Sequence, residues 1–243
     1  MREVYFYGTC LVDLFFPEAG LAGIKLLRRA GVGVVFPAGQ TCCGQPAFNC
    51  GYWEEARAVA RTQLALFPRD IPVVLPSGSC AGMMKTHYPE LFRGEPEAAQ
   101  AQALASRVFE LTQFLVDELD LRLEDLGDPV KVTWHSSCHA LRDLGLKGQP
   151  QALLGQLEGV ELAPLARERE CCGFGGTFSV RHPEISGAMA CDKAADAQAT
   201  GASRVLSTDG GCLLNVKGAL EAGGSDLKVQ HIAEFLWERT HAR

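Results

Sequence analysis

The sequence predicts an α/β fold of two homologous repeats, each a small parallel-sheet βαβ unit with cysteines at the carboxyl edge of its strands. Three observations predict it. Short apolar strands alternate with amphipathic helical stretches along the chain. Cysteine landmarks recur in one order at nearly one displacement. Each landmark follows a predicted strand.

The elements read as follows. "VYFYG" (4–8) alternates and is aromatic-rich, as a half-buried strand is. Residues 17–30 open on Pro17 and carry apolar positions at helical spacing. "VGVVF" (32–36) is a β-branched run, 53–67 a helix, and "PVVLP" (72–76) a buried strand bounded by prolines. Residues 97–119 are expected to form one further helix, and "RLEDLGDP" (122–129) marks the boundary. Beyond it come strand 130–135, helix 150–157, strand 159–163, helix 183–199, strand 203–207, helix 211–221, strand 227–229 and helix 231–240. The repeats are placed at 1–125 and 126–243.

The duplication rests on the cysteines. "FYGTCLVDLF" (Cys10) matches "WHSSCHALRD" (Cys138), "TCCGQPAF" (Cys42, Cys43) matches "ECCGFGGTF" (Cys171, Cys172), and "PSGSCAGM" (Cys80) matches "TDGGCLLN" (Cys212). The offsets are 128, 129 and 132 residues. Cys50 and Cys191 have no counterparts and are expected to be small buried hydrophobes.

Composition narrows the function. The 243 residues are 47% hydrophobic and 21% charged, with no apolar run long enough for a membrane span. Net charge is −6 without a basic stripe, which speaks against nucleic acid. The start, "MREVYFYGTC", reads as a strand and not as a signal peptide, so a cytoplasmic protein is expected. In that reducing compartment, ten cysteines point to metal ligation or catalysis before structural disulfides.

In a parallel sheet all strand carboxyl ends lie at one edge. Cys10, Cys42, Cys43 and Cys80 therefore converge on one four-sulfur site, and Cys138, Cys171, Cys172 and Cys212 on another. Converging thiolates repel unless a metal binds them. Tetrahedral thiolate sites suit zinc or iron–sulfur centres, and the absence of local CxxC knuckles favours iron–sulfur. Gly44, Gly173, Gly175 and Gly176 let backbone amides approach sulfur. His135 and His139 flank Cys138 as candidate ligands or donors to sulfur, and Trp53, Phe174 and Phe178 are candidate shields against water.

On these motifs the chain resembles the CCG-domain, or cysteine-rich-domain, family of iron–sulfur proteins. The family pattern is a lone Cys, thirty-odd residues, CCG, thirty-odd residues and CxxC, in two copies, and it covers the whole chain. The resemblance implies a 4Fe–4S cluster, one or two, on Cys138, Cys171, Cys172, Cys212, Cys10, Cys42, Cys43 and Cys80. One departure stands out: Met83 and Asn215 replace the last cysteine of each CxxC. With four cysteines per copy, a simple 4Fe–4S cluster fits better than the non-cubane kind. The second repeat is expected to be the better cluster holder, because Pro46 has no N–H to offer the first, where zinc is the alternative. The resemblance further implies an electron-transfer subunit of a system that oxidises L-lactate to pyruvate, inactive alone. Its partners would be a ferredoxin-type iron–sulfur subunit and a third small subunit. A glycolate or other 2-hydroxy-acid oxidase subunit, a heterodisulfide-reductase-like subunit, and a zinc-stabilised interaction module are the alternatives. No catalytic residue is assigned.

Overall fold

The computed structural model describes residues 2–241. Among them the strands form two four-stranded, wholly parallel sheets. The first comprises β1 (Glu3–Phe6), β2 (Gly33–Val35), β3 (Val73–Leu75) and β4 (Val108–Glu110), in the order β2-β1-β3-β4. The second comprises β5 (Val130–Trp134), β6 (Val160–Ala163), β7 (Arg204–Ser207) and β8 (Lys228–His231), in the order β6-β5-β7-β8. The strand orders match, as a duplication requires. Each sheet reverses its winding between the first and third strands of its repeat, β1 and β3 in one and β5 and β7 in the other, and sites form outside the strand ends at such a point.

Alternation along the strands sorts the core into layers. Val4 and Phe6 face inward with Val74, Val132, Trp134 and Leu206, so both sheets contribute to one apolar core. Tyr5, Tyr7, Val73 and Leu75 face the other way, into a second cluster that contains Cys43 and Cys80. The helices Pro17–Arg29 and Ile232–Thr240 pack against each other and close the shared core. Leu26, Leu27, Phe235 and Leu236 are buried there, each stabilising by about 1.5–3 kcal/mol.

One predicted element is wrong. Residues 97–119 are not a single helix: Ala98–Ala105 is helical, Val108–Glu110 is strand β4, and Leu111–Gln113 leads into a π-helical turn at Phe114–Glu118. Pairing with β3 overrides helical periodicity at Val108 and Phe109. A signal for this lay in the repeat itself. "VFELTQFL" from Val108 aligns with "VQHIAEFL" from Val229, and Glu110 and His231 cap the turns that follow their strands in the same way.

The two halves meet by close helix contact. Gly78, opening the helix Gly78–Gly82, lies so near the helix Cys138–Arg142 that a Cβ on it would come within 2.6 Å of the Ala140 methyl. His231 Nε2 lies 3.0 Å from the Pro76 carbonyl and 3.1 Å from that of Thr208, joining the ends of β3 and β7.

Three outcomes follow. Gly78→Ala should lower unfolding free energy by about 1–3 kcal/mol in a denaturant titration, through overpacking. Gly218→Ala, exposed within the helix Gly210–Ala222 with open space around it, should instead raise stability by about 0.5–1 kcal/mol. Glu110 is buried, and burial pushes its carboxyl up to about 7, above an ordinary value of 4.5. The folded state therefore keeps a proton that the unfolded chain releases. Its contribution is whole below pH 4.5 and declines as pH rises towards 7. Glu110→Gln should flatten this decline, recovering roughly 2–4 kcal/mol of the slope between those limits.

Candidate metal centre

The eight repeated cysteines line a single cavity of about 300 Å³ between the halves. The sequence reading separated them into two sites; the fold turns the two strand edges towards each other, so the sites share one space. Within it they keep their grouping. In the first set, Cys42 lies within hydrogen-bonding reach of Cys10 and Cys43, and the Cys43 and Cys80 sulfurs are 3.4 Å apart. In the second, Cys171 stands in the same relation to Cys138 and Cys172, and Cys172 reaches Cys212. Cys43, Cys80, Cys172 and Cys212 are buried; Cys10, Cys42, Cys138 and Cys171 are half-buried.

Local backbone places these sulfurs. Gly44 and Gly173, at φ 87° and 84°, adopt the left-handed conformation that turns each CCG loop. Their amides donate to Cys42 Sγ and Cys171 Sγ, both at 3.4 Å. This donation is equal in the two sets. The extra glycines of the second loop serve packing, with Gly175 close over Phe178 and Gly176 against Pro46 of the first loop. Thr9 enters Cys10 with φ 59°, a strained backbone for a β-branched residue, whereas Ser137 before Cys138 is relaxed at φ −61°.

Met83 and Asn215 take structural roles. Asn215 Nδ2 donates to the Cys172 carbonyl at 2.7 Å and to Ser186 Oγ at 3.3 Å. The equivalent Cys43 carbonyl accepts from the Tyr88 hydroxyl at 2.9 Å, while Met83 is fully buried beside Cys43 and Cys80. Each CCG loop is thus pinned by a polar side chain, though from different positions.

The electrostatics of each set are uneven. Hydrogen bonds from Cys10 and Cys43 hold the Cys42 thiol down at about 3, and the same cause, from Cys138 and Cys172, lowers Cys171. Their partners Cys10, Cys43, Cys138 and Cys172 are pushed up, chiefly by donating to the charged sulfur. A hydrogen bond accepted from Cys172, with the His135 imidazole beside it, brings Cys212 to about 7. Each set thus holds one readily ionised sulfur, and the second has a further sulfur poised near neutral pH.

His135 adds to this. It is 1% exposed, both ring nitrogens lack a hydrogen-bond partner among the described residues, and it offers a nitrogen within 4.8 Å of the Cys172 and Cys212 sulfurs. A buried imidazole left unpartnered beside thiols fits a site that receives a metal or a cluster. The first set lacks this group. Tyr7 stands at the equivalent position, and its hydroxyl donates to the Thr41 carbonyl at 2.6 Å.

Other predicted residues divide. Phe174 lines the cavity, and Phe178 lines a neighbouring one of about 450 Å³. Trp53 is 55% exposed and stacks on Phe48 instead. His139 borders the cavity but points Nδ1 at Asp143, 2.6 Å away. Cys50 and Cys191 are not buried: Cys191 is exposed, and Cys50 is half-buried with its sulfur 2.6 Å from Thr177 Oγ1. Asp209 escaped the sequence reading. Its buried carboxylate accepts from Ser77 Oγ at 3.0 Å and from Ser79 Oγ at 2.5 Å and N at 3.1 Å, across the two halves. Among the described residues, no helix is long and apolar enough to cross a membrane.

The fold and the site define a duplicated α/β protein that presents two sets of four cysteines to one interior space. A family model described as "Cysteine-rich domain" (CCG) matches residues 4–85 and again 132–217. The chain belongs to this CCG cysteine-rich domain family. It is 46% identical to lactate utilization protein A of Geobacillus kaustophilus over 96% of this chain and 98% of that one. It is 47% identical to the protein of the same name from Shouchella clausii, with the same coverage of both chains. A crystal structure of a hypothetical protein from Helicobacter pylori superposes with TM-score 0.70 at 9% identity, a likeness of fold alone. It covers all of this chain, which spans about half (49%) of that structure's length.

Asn215→Asp should test the pinning of the second loop. It replaces the donor by an acceptor and leaves the Cys172 carbonyl without its partner. An unfolding titration should show a loss of about 1–3 kcal/mol.

Proposed function

We propose that this protein is an iron–sulfur subunit that carries electrons in a multi-component system oxidising L-lactate to pyruvate. The observation that carries the reading is the convergence of eight cysteines, in two sets of four, on one cavity. The relatives' name, lactate utilization protein A, supports the metabolic context. In this reading the repeats are 1–125 and 126–243, and the ligands are Cys138, Cys171, Cys172 and Cys212 with Cys10, Cys42, Cys43 and Cys80. A bound 4Fe–4S group would supply one-electron transfer, with a potential tuned by burial and hydrogen bonds to sulfur.

The chain's own residues do the rest. Gly44 and Gly173 amides donate to sulfur, and Phe174 limits water at the cavity wall. His135 favours the second set as the stronger holder, because the first has Tyr7, whose hydroxyl proton is already committed. Zinc is the alternative occupant of the first set. Oxidation of lactate removes two electrons, which a carrier of single electrons must share with other centres. The partners in this reading are a ferredoxin-type iron–sulfur subunit and a third small subunit, in the cytoplasm.

The test is anaerobic reconstitution followed by iron, sulfide and zinc analysis with visible absorbance. Wild-type protein should hold iron and sulfide. Cys171→Ser should lose more of both than Cys42→Ser. Zinc without iron in the wild type would overturn the iron–sulfur reading. Loss confined to Cys42→Ser would reverse the assignment of the principal set.

A further inference from the structure

Beside the cysteine cavity lies a second group of metal-binding side chains, distinct in chemistry from the thiols. We propose that His87, His139 and Asp143 form a site for one divalent cation of zinc type, joining the two halves. His87 ends the π-helical turn Met83–His87 of the first half. His139 and Asp143 stand four residues apart at the helix Cys138–Arg142, so they share a face. One ligand atom from each residue lies within 4.8 Å of the others.

The donor atoms of the three residues converge on one point. Both imidazoles aim at the same carboxylate oxygen: Asp143 Oδ2 is 2.6 Å from His139 Nδ1 and 3.4 Å from His87 Nε2. Around a tetrahedral zinc with bonds of roughly 2.0–2.1 Å, donor atoms sit about 3.3 Å apart. The His87–Asp143 separation already has that length, and a small rotation of Asp143 opens the other.

The surroundings are built to hold these donors. His87 Nδ1 is buried without a hydrogen bond, 3.6 Å from Glu90 Oε2, where a metal-bound imidazole commonly finds its orienting carboxylate. The Phe48 ring packs on His87 with centroids 4.8 Å apart. Thr86 Oγ1 donates to the Asp143 carbonyl at 3.1 Å. Gly82 leaves room for the carboxylate, since a Cβ there would stand 3.0 Å from Asp143 Oδ2. Two nitrogens and one oxygen suit zinc and similar ions, with a position left for water. Because the donors come from both halves, the cation would staple them beside the cysteine cavity.

Cobalt(II) is the probe, added under anaerobic conditions to the full reconstituted chain, with metal content and visible spectra recorded. The expected result is one cobalt ion per chain with ligand-field bands that lack thiolate-to-cobalt charge transfer. Zinc should displace it and raise the melting temperature. His87→Gln and Asp143→Asn should each weaken binding by more than about tenfold, while Cys50→Ser leaves it unchanged. Any of three results would overturn the site. One is cobalt binding of wild-type strength in both His87→Gln and Asp143→Asn. Another is cobalt binding in neither them nor the wild type. The third is a spectrum of thiolate character that disappears in Cys171→Ser.

Discussion

The Asp209 carboxylate, received by Ser77 and Ser79 across the two halves, is the contact on which the arrangement of the cavity depends. Ser77 and Asp209 occupy the same place in their respective repeats, three residues before Cys80 and Cys212. At a pseudo-twofold axis, equivalent residues meet. Two aspartates there would repel in a buried setting, and two serines would form only a weak link. Divergence to one acceptor and one donor gives a satisfied, directional contact. Gly78 permits the approach, and His231 ties the adjoining strand ends through their carbonyls.

The rest of the site follows from that clamp. Once the ends of β3 and β7 are joined, the helices carrying Cys80 and Cys212 start side by side, and both CCG loops face the same interior. The repeats then specialise. Tyr88 pins the first CCG loop and Asn215 the second, and Tyr7 stands where the second half has His135. The first set is the more apolar and the second the richer in nitrogen donors. Inequality between two sets of equal cysteine content therefore arises from the residues around the sulfurs.

Much of this was legible in the sequence, for a physical reason. Parallel strands end at one edge, so a cysteine placed after each predicted strand already determines which sulfurs share a loop cluster. What the sequence concealed were contacts between halves. Nothing local to Cys10 or Cys138 says that their edges face each other, and Asp209 looks like an ordinary turn residue in "STDGGC". Strand β4 was lost because Val108 and Phe109 sit among strong helix formers, and only tertiary pairing with β3 decides their conformation. Met83 and Asn215 looked like missing ligands, yet one fills the core and the other pins a loop. Cys50 and Cys191 show that a cysteine outside a repeat pattern carries no burial signal of its own.

The most direct test is a double-mutant cycle between Ser79→Ala and Asp209→Asn, read by unfolding free energy. If the clamp organises the halves, the two substitutions share one interaction and their effects are coupled by about 1–3 kcal/mol. Additivity to within about 0.5 kcal/mol would mean that the halves are held together elsewhere, and would contradict the account.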